Sequence, residues 1–124
     1  MRLLLDTHVL LWWQTDDRRL GREARRAIAT ADLVWVSAVS GWEAAIKVSR
    51  GRLRLDEKFR ILVAVDEFTE LPVSLAHTER LQQLPPHHAD PFDRLLVAQA
   101  LVEKATLVTH DRAIEPYGTP VIWT

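Results

Sequence analysis

The sequence predicts an α/β fold, in which a mainly parallel central sheet of four to five strands is flanked by helices. Short apolar runs recur along the chain, and most are followed by a segment whose apolar residues have helical spacing. This alternation favours right-handed crossovers between parallel strands. No linker, repeat or low-complexity tract divides the 124 residues. We therefore expect a single domain spanning residues 1–124, which is long enough to bury one core.

Five segments have the length and composition of strands. The first, residues 2–5, is an apolar run that ends at Asp6. The others are predicted at residues 33–36, 71–73, 106–109 and 120–123. Pro72 argues against a long central strand at the third position, because proline cannot donate to the strand ladder.

Six helices are predicted between these strands, at residues 7–13, 21–29, 38–50, 56–67, 75–84 and 91–104. Ser74 is a suitable N-cap for the fifth helix, and Gly51 a suitable stop for the third. The sixth helix has the clearest start, because Asp90 can cap it and Pro91 fits its first position.

Composition excludes several classes of protein. The formal net charge is −1, which argues against a general nucleic-acid coating protein but not against a nuclease whose metal ions supply local positive charge. Cysteine is absent, so disulfides, thiolate nucleophiles and cysteine zinc sites are excluded. No apolar run approaches the roughly 20 residues that span a bilayer. We expect a cytoplasmic protein with no membrane contact.

Four acidic residues are predicted to meet at one edge of the sheet. Asp6 and Asp111 directly follow strands, and Glu43 and Asp93 lie in early turns of helices that begin at the same edge. Carboxylates about 4 Å apart repel by roughly 4 kcal/mol per pair at an effective dielectric of about 20. This arrangement favours a divalent metal ion between them. Asp6 is explained equally well as a helix cap, and Asp111 as the start of a turn.

The two helical acids also have purely structural explanations. Glu43 lies three residues after Ser40, the spacing of a capping box, although Ser37 can be the cap instead. Asp93 lies three residues after Asp90 and is favoured there by the helix dipole. Only the convergence of all four acids distinguishes a metal site from a set of helix caps.

Four strings of the sequence together resemble the PIN domain, and more closely the toxins of virulence-associated (VapC-type) toxin–antitoxin pairs. They are LLLDTH at residues 3–8, SAVSGWEAAIK at 37–47, DPFDRLLVAQA at 90–100 and LVTHD at 107–111. The resemblance covers nearly the whole chain, and the third string is its most specific part. It implies a PIN-like three-layer domain.

The resemblance also implies roles for individual residues. The metal-binding and catalytic acids would be Asp6, Glu43, Asp93 and Asp111. Thr109 would help to position a water molecule or an acid, and Asp90 would support the acids as an outer ligand. Thr7-His8 stands where Thr-Asn is more common, so an amide contact at that position is not carried over.

The activity implied is that of a Mg²⁺-dependent endoribonuclease, with Mn²⁺ as a plausible substitute. Such a toxin would cleave RNA, form a homodimer and be inhibited by a cognate antitoxin that blocks the acidic groove. Trp12 and Trp13 are adjacent and are not expected to face one core together, so one of them is expected at an interface.

Other interpretations remain open for the function. An RNA-processing or DNA nuclease outside a toxin pair would use the same acids, and a non-catalytic interaction module would use them only as helix caps. A phospho-acceptor receiver domain is disfavoured because no adjacent acidic pair follows the first strand. The five histidines lack the spacing of a zinc helix and are expected to be mostly surface groups. Lys47 is expected to pair with Glu43, and Arg94 either contacts substrate or faces solvent.

Overall fold

A computed structural model describes all of residues 1–124 and contains twelve helices and strands. In chain order they are β1 (Arg2–Leu5), α1 (Thr7–Gln14), α2 (Arg22–Thr30), β2 (Leu33–Ser37), α3 (Ala38–Ser49), α4 (Phe59–Val65), β3 (Thr69–Leu71), α5 (Leu75–Gln82), α6 (Pro91–Glu103), β4 (Thr106–Thr109), a 3₁₀ helix (Arg112–Tyr117) and β5 (Val121–Trp123). None of the helices has the length and apolar character required to cross a membrane.

The five strands form one sheet in the order β3-β2-β1-β4-β5, and every neighbouring pair is parallel. The predicted α/β fold with four to five parallel strands is therefore confirmed. The chain runs from β1 toward one side of the sheet through β2 and β3, and β4 then returns to the other side of β1. This reversal leaves a crevice beyond the carboxyl ends of β1 and β4, where open α/β sheets bind their ligands.

The core lies on both faces of the sheet, as in other parallel sheets that helices cover on each side. Successive residues of β1 alternate between the faces, so Leu3 and Leu5 join one apolar cluster and Leu4 joins the other. All three side chains are fully buried. Helices α1, α2 and α4 cover the first face, and α5 and α6 cover the second. The result is the expected three-layer arrangement.

Three elements differ from the sequence-based prediction. Strand β3 ends at Leu71 instead of beginning there, and the carbonyl of Pro72 accepts a hydrogen bond from a side chain of α6. Helix α4 begins at Phe59, three residues later than predicted. The 3₁₀ helix after β4 was not predicted, because Pro116 inside it is a poor residue for a regular helix.

The prediction for the adjacent tryptophans was wrong. Trp12 is buried in the first cluster, and Trp13 packs against the same cluster while its ring lies 6.1 Å from that of Phe68. A large indole side chain can reach the margin of a core from a neighbouring helical position. Both tryptophans therefore pack against the core, and neither is assigned to an interface.

Candidate metal centre and active site

A pocket of about 410 Å³ opens at the carboxyl edge of the sheet. The acids that line it are Asp6, Glu43, Asp90, Asp93 and Asp111. The structure thus brings together all four acids predicted to meet there, together with the additional Asp90.

Asp6 serves as a helix cap and a pocket residue at the same time. Its Oδ1 accepts a hydrogen bond from the Val9 N–H at 2.9 Å, and its Oδ2 accepts one from the Thr109 hydroxyl at 2.5 Å. Burial raises the pKa of Asp6, while the bonds from Thr109 and Val9 oppose that rise. Thr109 therefore holds the orientation of the most deeply buried acid in the pocket.

Glu43 lies in the second turn of α3, because Ser37 rather than Ser40 caps this helix. The Ser37 hydroxyl accepts a hydrogen bond from a first-turn N–H at 2.9 Å, so the capping-box interpretation is wrong. Glu43 accepts a bond from the Thr7 hydroxyl at 2.7 Å and pairs with Lys47 at 3.5 Å, as predicted for that lysine. These contacts hold the carboxylate between α1 and α3.

The start of α6 directs Asp93 into the pocket. Asp90 is the N-cap, and its Oδ1 accepts hydrogen bonds from the N–H groups of Phe92 at 2.8 Å and Asp93 at 3.3 Å. Pro91 occupies the first helical position, where no N–H is needed. Arg94 does not line the pocket; it donates a hydrogen bond to the Pro85 carbonyl at 2.9 Å and so stabilises the preceding loop.

His88 joins two of the acids, although sequence reasoning did not identify it. Its Nε2 lies 2.9 Å from Oδ2 of Asp93 and 3.2 Å from Oδ2 of Asp111. The other oxygen of Asp111 accepts a bond from the Ala113 N–H at 3.0 Å and thereby caps the 3₁₀ helix. Because His88 lies in a proline-rich loop without helical or strand spacing, its only sequence signal was its position five residues before Asp93.

The electrostatics of this group depend on its partial burial. Burial and the neighbouring Asp111 carboxylate raise the pKa of Asp93 to about 7, against the lowering effect of His88. Burial also acts to raise the pKa of Asp111, but hydrogen bonds from Ala113, Asp93 and His88 hold it below its usual value. The two carboxylates raise the pKa of His88 despite its burial. The two carboxylates thus favour the charged form of His88, while burial and Asp111 favour the neutral form of Asp93.

A second group of possible ligands lies beside the first. Asp6, His8 and His110 place one ligand atom each within 4.8 Å of one another. His8 and His110 are exposed, as predicted for most histidines, and their rings meet edge to face at 5.3 Å. His77 does not follow the prediction, because it is fully buried and contacts Glu103 at 2.8 Å.

The pocket has the donor chemistry that a divalent metal ion requires. Carboxylate oxygens dominate it, and its acids outnumber the cationic groups that directly contact them. Burial is the main cause of the raised pKa of Asp93, and the neighbouring Asp111 and Asp90 carboxylates add to it; a bound cation would favour the charged form. The two groups of possible ligands, which contain Asp6, Asp93 and Asp111, are therefore compatible with a divalent metal ion.

Comparison with solved structures identifies the same fold in other proteins. VapBC2 from Rickettsia felis, bound to a DNA fragment from its promoter, has a TM-score of 0.74 at 17% identity, over 98% of this chain and 96% of that one. FitAcB from Neisseria gonorrhoeae has a TM-score of 0.66 at 17% identity, over 97% and 96% of the two chains. At these identities the likeness concerns the fold alone.

Sequence comparison is more specific. The chain is 32% identical over 129 aligned positions to Ribonuclease VapC22 of Mycobacterium tuberculosis (strain ATCC 25618 / H37Rv), covering 95% of this chain and 93% of that protein. The family model of the PIN domain matches residues 3–118, which include every acid of the pocket. With the parallel sheet and the acidic crevice, this match establishes that the chain belongs to the PIN-domain family.

Proposed function

We propose that this chain is a Mg²⁺-dependent endoribonuclease that hydrolyses RNA phosphodiester bonds, with Mn²⁺ as a substitute ion. The observation that carries the proposal is the convergence of Asp6, Glu43, Asp93 and Asp111 in one pocket. The 32% identity to a protein named Ribonuclease VapC22 supports RNA as the substrate. Hard divalent ions bind through oxygen ligands and keep several waters, which suits a pocket of carboxylates.

The four acids hold the ion, and hydrogen bonds from neighbouring residues fix the positions of their carboxylates. When bound, a divalent ion lowers the pKa of a coordinated water and stabilises charge on the phosphoryl oxygens. Thr109 orients Asp6, and Thr7 orients Glu43. His88 Nε2 lies within hydrogen-bond distance of oxygens of Asp93 and Asp111 that are suitable ligands, so this ring holds the two carboxylates close together.

Three cationic side chains line the same pocket beside the acids and are suited to bind the phosphates of the substrate. They are Lys47, Arg50 and Arg52, and we call them the basic wall. The turn after α3 folds back because Gly51 has φ +68° and the Arg52 N–H donates to the Lys47 carbonyl at 2.8 Å. Cationic side chains beside a catalytic pocket bind the flanking phosphates of a nucleic acid and position it without reading its sequence.

We place this activity in the toxin of a toxin–antitoxin pair, with the chain forming a homodimer in the cytoplasm. A cognate antitoxin would inhibit it by covering the acidic pocket. Support comes from the name of the relative and from a structural neighbour described as a toxin–antitoxin complex from Klebsiella pneumoniae, which has a TM-score of 0.65 at 20% identity over 97% of this chain. We also propose that residues 1–124 act as one domain, since both apolar clusters share one sheet.

Cleavage of RNA by the purified protein tests this function. Structured RNA should be cut with Mg²⁺ or Mn²⁺ and remain intact with a chelator, and Asp6→Asn should abolish cutting. Asparagine caps helices as well as aspartate does, so this variant retains the cap while losing the charge. Asp56→Asn, at an exposed position outside the pocket, is the matched control and should cleave normally. Cleavage in chelator, or full activity of Asp6→Asn, would contradict the mechanism; preference for DNA in competition would reassign the substrate.

A further inference from the structure

An exposed aromatic pair stands beside the acidic pocket. The side chain of Trp42 is 54% exposed, and its ring meets that of Phe92 edge to face at a centroid distance of 4.7 Å. Phe92 itself lines the pocket. In sequence, Trp42 directly precedes Glu43 and Phe92 directly precedes Asp93, so the pair lies between the helix starts that carry two of the acids.

Packing does not account for the exposed ring of Trp42. It belongs to neither apolar cluster, whereas Trp12, Trp13 and Trp35 are all part of a cluster or packed against one. The ring of Trp123 is covered by the Arg112 guanidinium at 4.3 Å. Only Trp42 keeps a large, rigid aromatic face in water. Such a face is costly to leave exposed and well suited to a planar apolar ligand.

The surroundings of Trp42 indicate a nucleic acid as that ligand. Trp42 and Ile46 are spaced four residues apart on α3, and Arg50, four residues further on, is the C-cap of the helix, so the three residues follow one side of it. Ile46 and Arg50 line the pocket, as do Lys47 and Arg52. An aromatic face beside a row of cationic side chains matches a nucleic-acid strand, whose bases can stack while its phosphates pair with the cations.

We propose that Trp42, supported by Phe92, is a stacking platform for one unpaired base next to the phosphate that is cut. This inference rests on the proposed ribonuclease function. Bases inside an A-form duplex stack on one another and cannot reach an external ring, whereas bases in loops can. Since every base has an aromatic face, Trp42 selects for an unpaired base and tolerates different base identities.

The platform is tested by removing a base from the RNA and the indole ring from Trp42, first separately and then together. A single-stranded RNA with one mapped cut is prepared with an abasic nucleotide at each position flanking the cut. Trp42→Ala should lower kcat/KM on the intact RNA about 5- to 150-fold, mainly through KM, because stacking has that strength per base. One abasic position should reduce wild-type cleavage by a similar factor and abolish the difference between wild type and Trp42→Ala. Trp42→Phe should keep most of the activity.

Leu75→Ala is the control for loss of an exposed apolar side chain, since Leu75 is 80% exposed and outside the pocket, and it should cleave normally. If Trp42→Ala lowered kcat/KM relative to wild type by the same factor on the intact RNA and on every abasic RNA, the platform would be overturned. So would a change from dimer to monomer in light scattering, which would assign Trp42 to a protein interface. If wild type binds the RNA in a fluorescence anisotropy assay but does not cut it, the ribonuclease proposal fails. Weaker binding by Trp42→Ala would then still sustain the platform, and equal binding would overturn it.

Discussion

Two polar clusters of this protein contain a histidine beside a carboxylate, yet they differ in the balance of their charges. In the interior, His77 accepts the Ser74 N–H at 2.9 Å and contacts Glu103 at 2.8 Å. Gln99 accepts the Ser37 hydroxyl at 2.5 Å and donates to the Pro72 carbonyl at 3.3 Å. Each of these buried side chains has a protein partner, and the chain of bonds joins α3, α5 and α6.

At the carboxyl edge the balance is different. His88 is shared by Asp93 and Asp111, while Asp6 and Glu43 line the same pocket. A fully paired polar network fixes the positions of helices, and removing a member leaves its partner unsatisfied. A cluster with surplus negative charge gains from an external cation instead. The two clusters therefore differ in the ratio of acids to cationic partners, although both contain a histidine beside a carboxylate.

The largest expected effect is on catalysis at the carboxyl edge. Asp93→Asn should lower metal-dependent RNA cleavage by on the order of a thousand-fold, comparable with other losses of charge stabilisation in active sites. The same variant should be as stable as wild type without metal, or more stable, because one partner in the carboxylate repulsion is gone. Rates with Mn²⁺ and urea unfolding with chelator measure the two effects. A variant that was both inactive and strongly destabilised would show that Asp93 belongs with the structural network.

The interior network should show the opposite behaviour. Gln99→Leu leaves the Ser37 hydroxyl and the Pro72 carbonyl without their partner, which should lower the free energy of unfolding by about 2–3 kcal/mol. Cleavage per folded molecule should remain within a few-fold of wild type, since no pocket residue is altered. Urea unfolding and active-site-normalised rates provide the comparison. Unchanged stability with lost activity would reverse the assignment of the two clusters.

The pH dependence of stability gives a smaller effect. Asp93 has a pKa of about 7 in the folded protein and an ordinary value of 3.8 in the unfolded chain, so the folded protein binds this proton more tightly. That stabilisation is present at low pH and lost as pH rises from about 4 to 7. The raised pKa of His88 acts in the same direction at higher pH. Without metal, the free energy of unfolding should therefore fall across this range, by on the order of 1–3 kcal/mol.

Asp93→Asn supplies the control for that prediction. Its unfolding free energy should depend less on pH between 4 and 7 than that of wild type, because the group with the raised pKa is absent. Gln99→Leu should keep the wild-type slope. If chemical denaturation of metal-free wild type showed stability rising over this interval, the pKa of Asp93 would not be raised in the fold as described.

The smallest expected effect concerns the shape of the basic wall. Gly51 and Gly118 both have φ +68° and no atom within 4 Å of an added Cβ, so alanine at either position should cost about 1 kcal/mol of stability from backbone strain. Only Gly51→Ala should also weaken RNA binding, because Gly51 forms the turn that returns Arg52 to the pocket. Thermal unfolding and RNA anisotropy separate the two effects. Equal RNA binding by both variants would exclude a role for the turn.

The sequence predicted most of the fold because its apolar runs are long enough to define strands. Strand β3 was misplaced by two residues because it has only three residues at the edge of the sheet, and two of them, Thr69 and Glu70, are polar and exposed. The 3₁₀ helix escaped notice because Pro116 interrupts any regular helical pattern. Short elements of this kind depend on tertiary contacts that spacing does not encode.

The candidate site was predictable as far as topology determines it. Strand ends and helix starts placed Asp6 and Asp111 at one edge, and each uses one oxygen as a cap while lining the pocket. The alternatives of cap and ligand were therefore not exclusive. His88 could not be found in this way, because its position depends on how a proline-rich loop folds over the pocket. Trp42 was likewise indistinguishable from a core residue until its exposure was known.

Binding of a divalent ion to the four acids is the central claim, and thermal unfolding with Mn²⁺ tests it most directly. Saturating Mn²⁺ should raise the Tm of wild type, because an ion that binds only the folded state stabilises it in proportion to its occupancy. Asp56→Asn should show the same rise, and Asp93→Asn should show little or none. A wild-type Tm that does not respond to Mn²⁺, or an Asp93→Asn variant that responds as fully as wild type, would contradict the account.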